Sequence, residues 1–170
     1  ICPGFDLDFW SNGETDETKA IKLKPYILSV GAFKFRKGYH NSIRAFAVVA
    51  KKIEHLNYVI VGQGEESDYA KKLKNIVRES NLESRIFFVS SGIDPVREKS
   101  LQATEVAPNG AAFSNGIDDK QLLGFYRNAE LFILTPIEEN HHFEGFGIVY
   151  LEAAASALPI VASQNSGAES

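Results

Sequence analysis

A chain of 170 residues, 44% hydrophobic and 24% charged, is long enough to bury one core and ordinary in composition for a globular domain. Its net charge of −4 argues against a nucleic-acid partner, which needs a clustered basic face, and no apolar run is long enough to span a bilayer. The one cysteine, Cys2, cannot form an internal disulfide, so a reducing, cytoplasmic setting is expected, with peripheral attachment to the inner membrane face left open for a longer protein. With no methionine even at its start and no signal peptide, the chain is expected to be a fragment or a processed form.

The first ten residues (ICPGFDLDFW) read as a proline-glycine turn followed by an anchored segment of alternating acids and aromatics. Residues 11–24 are polar and read as a linker. Residues 26–31 (YILSVG) form a short apolar run closed by glycine, as a buried strand would. A basic loop, AFKFRKG, then leads to a helix over residues 39–52, with Ile43, Phe46, Ala47 and Ala50 at helical spacing. A second strand over 58–61 ends in Gly62-Gln63-Gly64, and Tyr69, Leu73, Ile76 and Val77 stripe a second helix. Residues 85–89 (RIFFV) give a third strand.

Residues 90–117 break this rhythm. They read as a long loop, and loops of that length in compact domains are usually functional or disordered. The period resumes at Asp118, an N-cap with Gln121 three residues on, as in a capping box. That helix carries Leu122, Leu123, Phe125 and Tyr126 and precedes a strand over 131–134. A glycine turn, Glu144-Gly145-Phe146-Gly147, then opens an apolar helix holding Glu152, and Leu158-Pro159 leads into a strand from Ile160.

Strands alternating with helices, with strands apolar on both faces, predict an α/β fold: a Rossmann-like parallel sheet with helices on both faces. Ligands gather beyond the carboxyl ends of such strands, so the loops at 32–38, 62–66, 90–116 and 135–147 fall on one rim. Adjacent cations Arg36 and Lys37 at a helix start oppose the helix dipole unless an anion sits between, although alone they read as a solvated basic loop. Gly62-Gln63-Gly64 lacks the third glycine of a dinucleotide fingerprint and reads as a tight turn. Glu138, Glu139, His141, His142 and Glu144 imitate a metal cluster, but without metalloprotease helix spacing or a cysteine partner; a solvated rim loop is expected and no metal.

The run from Pro136 through Glu144-Gly-Phe-Gly, Glu152-Ala and Leu158-Pro159 resembles the Glu-x7-Glu motif of family 4 (group 1) retaining glycosyltransferases. The opening Pro3-Gly4-Phe5-Asp6 resembles the family's Pro-x-Gly-Val-Asp segment, Gly31-x4-Arg-Lys-Gly its donor-phosphate loop and Gly62-Gln63-Gly64 its Val-x-Gly-x-Gly, and the likeness spans nearly the whole chain. It implies the C-terminal, donor-binding half of a two-domain GT-B enzyme: an interdomain segment over 1–24 and a nucleotide-sugar-binding domain over 25–170. The acceptor-binding N-terminal domain and the closing helices after Ser170 would lie outside the chain, which alone would be inactive. The expected donor is a UDP-, GDP- or ADP-sugar, bound without a cofactor. By resemblance, Arg36 and Lys37 contact the diphosphate, with Gly31 letting the backbone approach. Gly62, Gly64 and Val89 line the nucleotide side, and Glu144 lies by the sugar with His142 nearby. Backbone near Phe146, Gly147 and Ile148 meets phosphates and sugar, and Glu152 accepts from the ribose hydroxyls. Arg36, Lys37 and Glu144 would be catalytic, in retaining hexosyl transfer. Two departures are Ala154 and Ala157, where the family commonly has Met and Gly; alanine does not favour the left-handed conformation glycine allows. A non-catalytic nucleotide-sugar-binding module and a nucleotide-sugar epimerase of the same fold remain alternatives.

Overall fold

A computed structural model describes residues 5–64, 67–91, 113–137 and 147–164. Six strands among them form one wholly parallel sheet: β1 (Tyr26–Val30), β2 (Asn57–Gly62), β3 (Ile86–Ser91), β4 (Phe113–Ile117), β5 (Leu131–Leu134) and β6 (Ile160–Ala162). Their spatial order is β4-β3-β2-β1-β5-β6. The chain therefore winds outward from β1 to β4, returns, and winds the other way through β5 and β6. The reversal falls between β1 and β5, the place where open α/β sheets leave a crevice.

Every residue of β1 is buried, as a central strand covered on both faces must be. On one side α3 (Tyr39–Val49) packs against α4 (Asp68–Glu79). On the other, α5 (Asp119–Asn128) and α6 (Ile148–Ala155) are met by two short N-terminal helices, α2 (Thr18–Ile21) and α1 (Leu7–Asn12) respectively. Inside, Ser29 Oγ lies 2.7 Å from the Tyr58 hydroxyl, which donates to Ser42 Oγ at 2.7 Å, and Ser42 donates to the Tyr39 carbonyl. Burial pushes the Tyr58 phenol up to about 12, so it stays a neutral donor in this relay.

Three expectations change. Residues 11–24 are not a free linker: Ala20 and Leu23 are buried, and polar groups bind the segment to α5. The Arg127 guanidinium donates to the carbonyls of Ser11 and Gly13, both at 2.9 Å, and Gln121 Nε2 donates to Asp16 Oδ2 at 3.0 Å. Only two apolar side chains face inward, so composition alone looked like a linker. The long loop gives up its last residues to β4, a strand at the end of the sheet that pairs with β3 alone and needs no continuous apolar run. Asp118 does cap α5, accepting from the Gln121 amide at 2.8 Å, but the Gln121 side chain turns to Asp16 and Lys19 rather than closing a capping box.

Helix α6 ends with Leu158 N–H donating to the Ala153 carbonyl and Ala157 N–H to that of Ala154, both at 3.0 Å, the paired bonds of a Schellman cap. That cap needs a left-handed residue, and Ala157 supplies it at φ 56° despite its Cβ. Ala157→Gly should therefore raise stability by about 0.5–1 kcal/mol, the relief of left-handed strain less the added freedom of the unfolded chain. A higher urea midpoint at unchanged slope is the expected result; an unchanged or lower midpoint would refute the strain.

Candidate functional site

Three rim loops are tied together at the carboxyl ends of β1, β2 and β5. Gly31 N–H donates to the Val61 carbonyl at 2.9 Å and Phe33 N–H to that of Gln63 at 2.8 Å, joining the first two. On the other flank Ile137 N–H donates to the Arg36 carbonyl at 2.9 Å, and Thr135 Oγ1 donates to the Gly38 carbonyl at 3.2 Å. Gly38 sits at φ 69° directly on the Thr135 carbonyl, where a Cβ would collide with backbone. The loop carrying Arg36 and Lys37 is thus held against the segment that leads toward α6.

Arg36 and Lys37 lie in a 3-10 turn, Phe35–Lys37, immediately before α3. Arg36 is half-buried. Lys37 is 8% exposed, and its Nζ lies 3.5 Å from the point where a Gly31 Cβ would stand. The Tyr39 hydroxyl comes within 3.0 Å of the same point and donates to the Gly31 carbonyl at 2.8 Å. At φ 145° without a side chain, Gly31 makes room for the chain's own Lys37 and Tyr39. The two neighbouring glycines do different jobs: Gly64 takes φ 94°, while Gly62 has no room for a Cβ beside the Gly31 carbonyl.

Val89 is fully buried in β3, between β2 and β4. Glu138, Glu139, His141, His142, Glu144 and Phe146 lie outside the described residues. Gly147 is described: at φ 50° it stands at the N-terminus of α6 with Ile148 as the first helical residue, and that end makes no side-chain cap bond among the described residues.

Glu152, one turn into α6, is brought beside Tyr126 of α5, whose hydroxyl donates to Oε2 at 2.7 Å. Glu152 borders a cleft of about 360 Å³ lined also by Phe5, Asp6, Phe9, Trp10, Asp119 and Ile148, and Tyr126 packs against its Trp10 wall. Burial raises the Glu152 carboxyl above its ordinary value; the Tyr126 bond pulls it back down, and the Asp119 carboxylate adds a further push upward. Tyr126 was visible in the sequence only as part of an apolar stripe. Nothing local distinguishes a phenol that packs from one that also donates across 26 residues.

The family model for glycosyl transferases group 1 matches residues 13–94 and 91–170. The chain belongs to this glycosyltransferase family. A glycogen synthase of Mycobacterium tuberculosis is 27% identical over 142 residues, which cover 83% of the chain and 26% of that relative. The chain therefore spans about a quarter of that relative's length. Among solved structures, the C-terminal domain of a group 1 glycosyltransferase (LpcC) from Francisella tularensis superposes with a TM-score of 0.66 at 23% identity, covering 97% of the chain and 72% of that domain. Anabaena HepE, solved with UDP-glucose, gives 0.64 at 21% identity over 98% of the chain and 38% of its own. These structures share the chain's Rossmann-like fold, that of the C-terminal domain of GT-B glycosyltransferases. No helix among the described residues is long and apolar enough to cross a membrane.

The direction of the Glu152 shift gives a sign for stability. A carboxyl whose folded value lies above its unfolded one favours the folded state fully below the unfolded value, and that contribution is lost as pH rises through the folded value. Wild-type protein should therefore lose stability relative to Glu152→Gln as pH climbs through the carboxylate range. Parallel denaturation curves at all pH values would show that Glu152 is not desolvated.

Proposed function

We propose that the chain is the donor-binding part of a group 1 glycosyltransferase, holding a nucleoside-diphosphate sugar across the reversal between β1 and β5 for retaining transfer of a hexosyl group. The observation that carries this reading is the loop of Arg36 and Lys37, fixed by Gly38 and Thr135 against the strand whose continuation opens α6. Two cations on one flank and a helix N-terminus on the other suit a diphosphate, which each attracts independently. The UDP-glucose complex of HepE is a neighbour of the same fold and supports the donor class. The acceptor would be bound by a further domain of the whole protein, and the isolated chain would bind donor without turnover.

In that reaction the bond from the anomeric carbon to the diphosphate oxygen breaks, and an acceptor hydroxyl oxygen bonds the same carbon from the same face. The hydroxyl proton passes to the departing diphosphate, which leaves with the bonding electron pair. Arg36, Lys37 and the amides from Gly147 and Ile148 would stabilise the charge developing on it, so the reading needs no metal. Glu144 would hold the sugar, and Glu152 the ribose, because a carboxylate can accept from two neighbouring hydroxyls.

Calorimetry with UDP, GDP and ADP tests the reading: one of the three should bind, and no heat from any on folded protein would defeat it. Lys37→Ala should cost about 1.5–3 kcal/mol in diphosphate binding, less at high salt, while nucleoside binding stays near wild type. Equal loss for both ligands would place Lys37 elsewhere.

Glu144→Gln should leave free nucleotide binding intact and weaken binding of the nucleotide-sugar by roughly 1–2 kcal/mol. Damage to free-nucleotide binding would make Glu144 a support for the helix start and not a sugar contact.

A further inference from the structure

We propose that Tyr126 is a positioning residue for Glu152: its hydroxyl, held by a caged ring in α5, fixes the carboxylate on α6 in the pose that receives the nucleotide's ribose. This rests on the ribose contact proposed for Glu152.

The Tyr126 ring has no exposed surface. Trp10 meets it edge-on at 5.6 Å and 87°, and Phe132 lies tilted against it at 5.8 Å and 30°. With the ring fixed in this cage, its hydroxyl has a narrow choice of acceptor. The Glu152 Oε2 at 2.7 Å accepts the hydrogen bond in preference to the Val149 carbonyl at 3.5 Å, which is at the limit of a hydrogen bond. The bond engages Oε2, and among the described residues no hydrogen bond reaches the other oxygen of the carboxylate, whose lone pairs can serve ligand hydroxyls.

Tyr126 also keeps Glu152 charged. Among the described residues the ionisable groups beside Glu152 on neighbouring elements are Asp119 and Tyr126 of α5, with Asp6 just before α1 on the same cleft, and α6 itself carries no other charged residue. Burial favours the protonated form of Glu152, and the Asp119 carboxylate does the same. Against them stands the phenol, which remains a neutral donor because burial and the Glu152 charge hold its own ionisation far above neutrality. A hydroxyl-free ring would fill the same space and leave Glu152 both less fixed and harder to ionise.

The test is calorimetry of UDP, GDP and ADP from the acid carboxylate range to neutral pH, on wild type, Tyr126→Phe, Glu152→Gln and the double variant. In wild type, affinity should rise with pH as Glu152 ionises. Tyr126→Phe should move that midpoint upward by about one pH unit and weaken binding at neutral pH by roughly tenfold. Adding it to Glu152→Gln should change nothing further, since both substitutions remove one unit of function. A purely structural tyrosine would lower the melting temperature and leave the midpoint where it was, and that outcome overturns the role. If instead Glu152→Gln bound every nucleotide as wild type does, the ribose contact itself would fall and this role with it. Should Tyr126→Phe not fold, hydrogen–deuterium isotope shifts at the Glu152 carboxyl carbon of wild-type protein decide the matter. A shift that persists when nucleotide is added supports the role, and one that is absent or disappears on binding refutes it.

Discussion

The geometry of the rim depends on the approach of Gly38 to the Thr135 carbonyl. Neither β1 nor β5 places the basic turn by itself; the turn is placed because the chain at Gly38 passes over the end of β5 with no atom to spare. Any side chain at position 38 would strike backbone, which cannot rotate away as the tip of a flexible side chain can. The Thr135 hydroxyl and the Ile137 amide then donate to the carbonyls of Gly38 and Arg36 across the same contact. Glycine here is a requirement of position, and Arg36 and Lys37 inherit their place from it.

A second constraint follows from burying so many tyrosines. Tyr26, Tyr39, Tyr58 and Tyr126 are all fully buried, and each must find a partner for its hydroxyl or lose the advantage of its ring. Tyr26 donates to the Phe125 carbonyl at 2.7 Å, Tyr58 to Ser42, Tyr39 to the Gly31 carbonyl and Tyr126 to Glu152. The first two bonds join core elements to one another. The last two reach the rim, one at the loop after β1 and one at α6. Packing and site geometry are coupled through these phenols, because the rings are held by the core while the hydroxyls meet groups at its edge.

These features were unequally legible in the sequence. The central strands show as apolar runs such as YILSV because both of their faces are covered, α3 to α5 show through their periodic stripes, and α6 shows as an apolar run after a glycine turn. β4 (FSNGI) carries no such mark, since a strand with one neighbour can be polar. Residues 11–24 misled in the same way: their attachment to α5 runs through Arg127, Lys120 and Gln121, residues that any solvated surface also has. Glycines were legible as necessary but not as to why, since Gly31 yields space to Lys37 and Tyr39, Gly62 to a carbonyl, and only Gly64 among these adopts a typical turn conformation. Glu152 stood out by being a lone acid in an apolar helix, but its partner was hidden among core aromatics.

That partner's identity has a chemical logic. A lysine or arginine beside Glu152 would hold it ionised more firmly, but would also cancel its charge and bring several donors to a group that needs free lone pairs. A backbone amide would keep the charge but could reach the middle of a helix face only by breaking the helix. A phenol carries one donor on a rigid arm, adds no charge, and stays protonated beside a carboxylate at any ordinary pH. It can correct the pose and the ionisation of Glu152 while leaving the negative field of the cleft in place. Asp6 and Asp119 add to that field, which favours a ligand that approaches Glu152 with hydroxyl groups over one that approaches with phosphates. Arg36, Lys37 and the start of α6 set the opposite field on the rim. The proposed donor, with a hydroxyl-bearing ring at one end and a diphosphate at the other, would be matched by both fields at once.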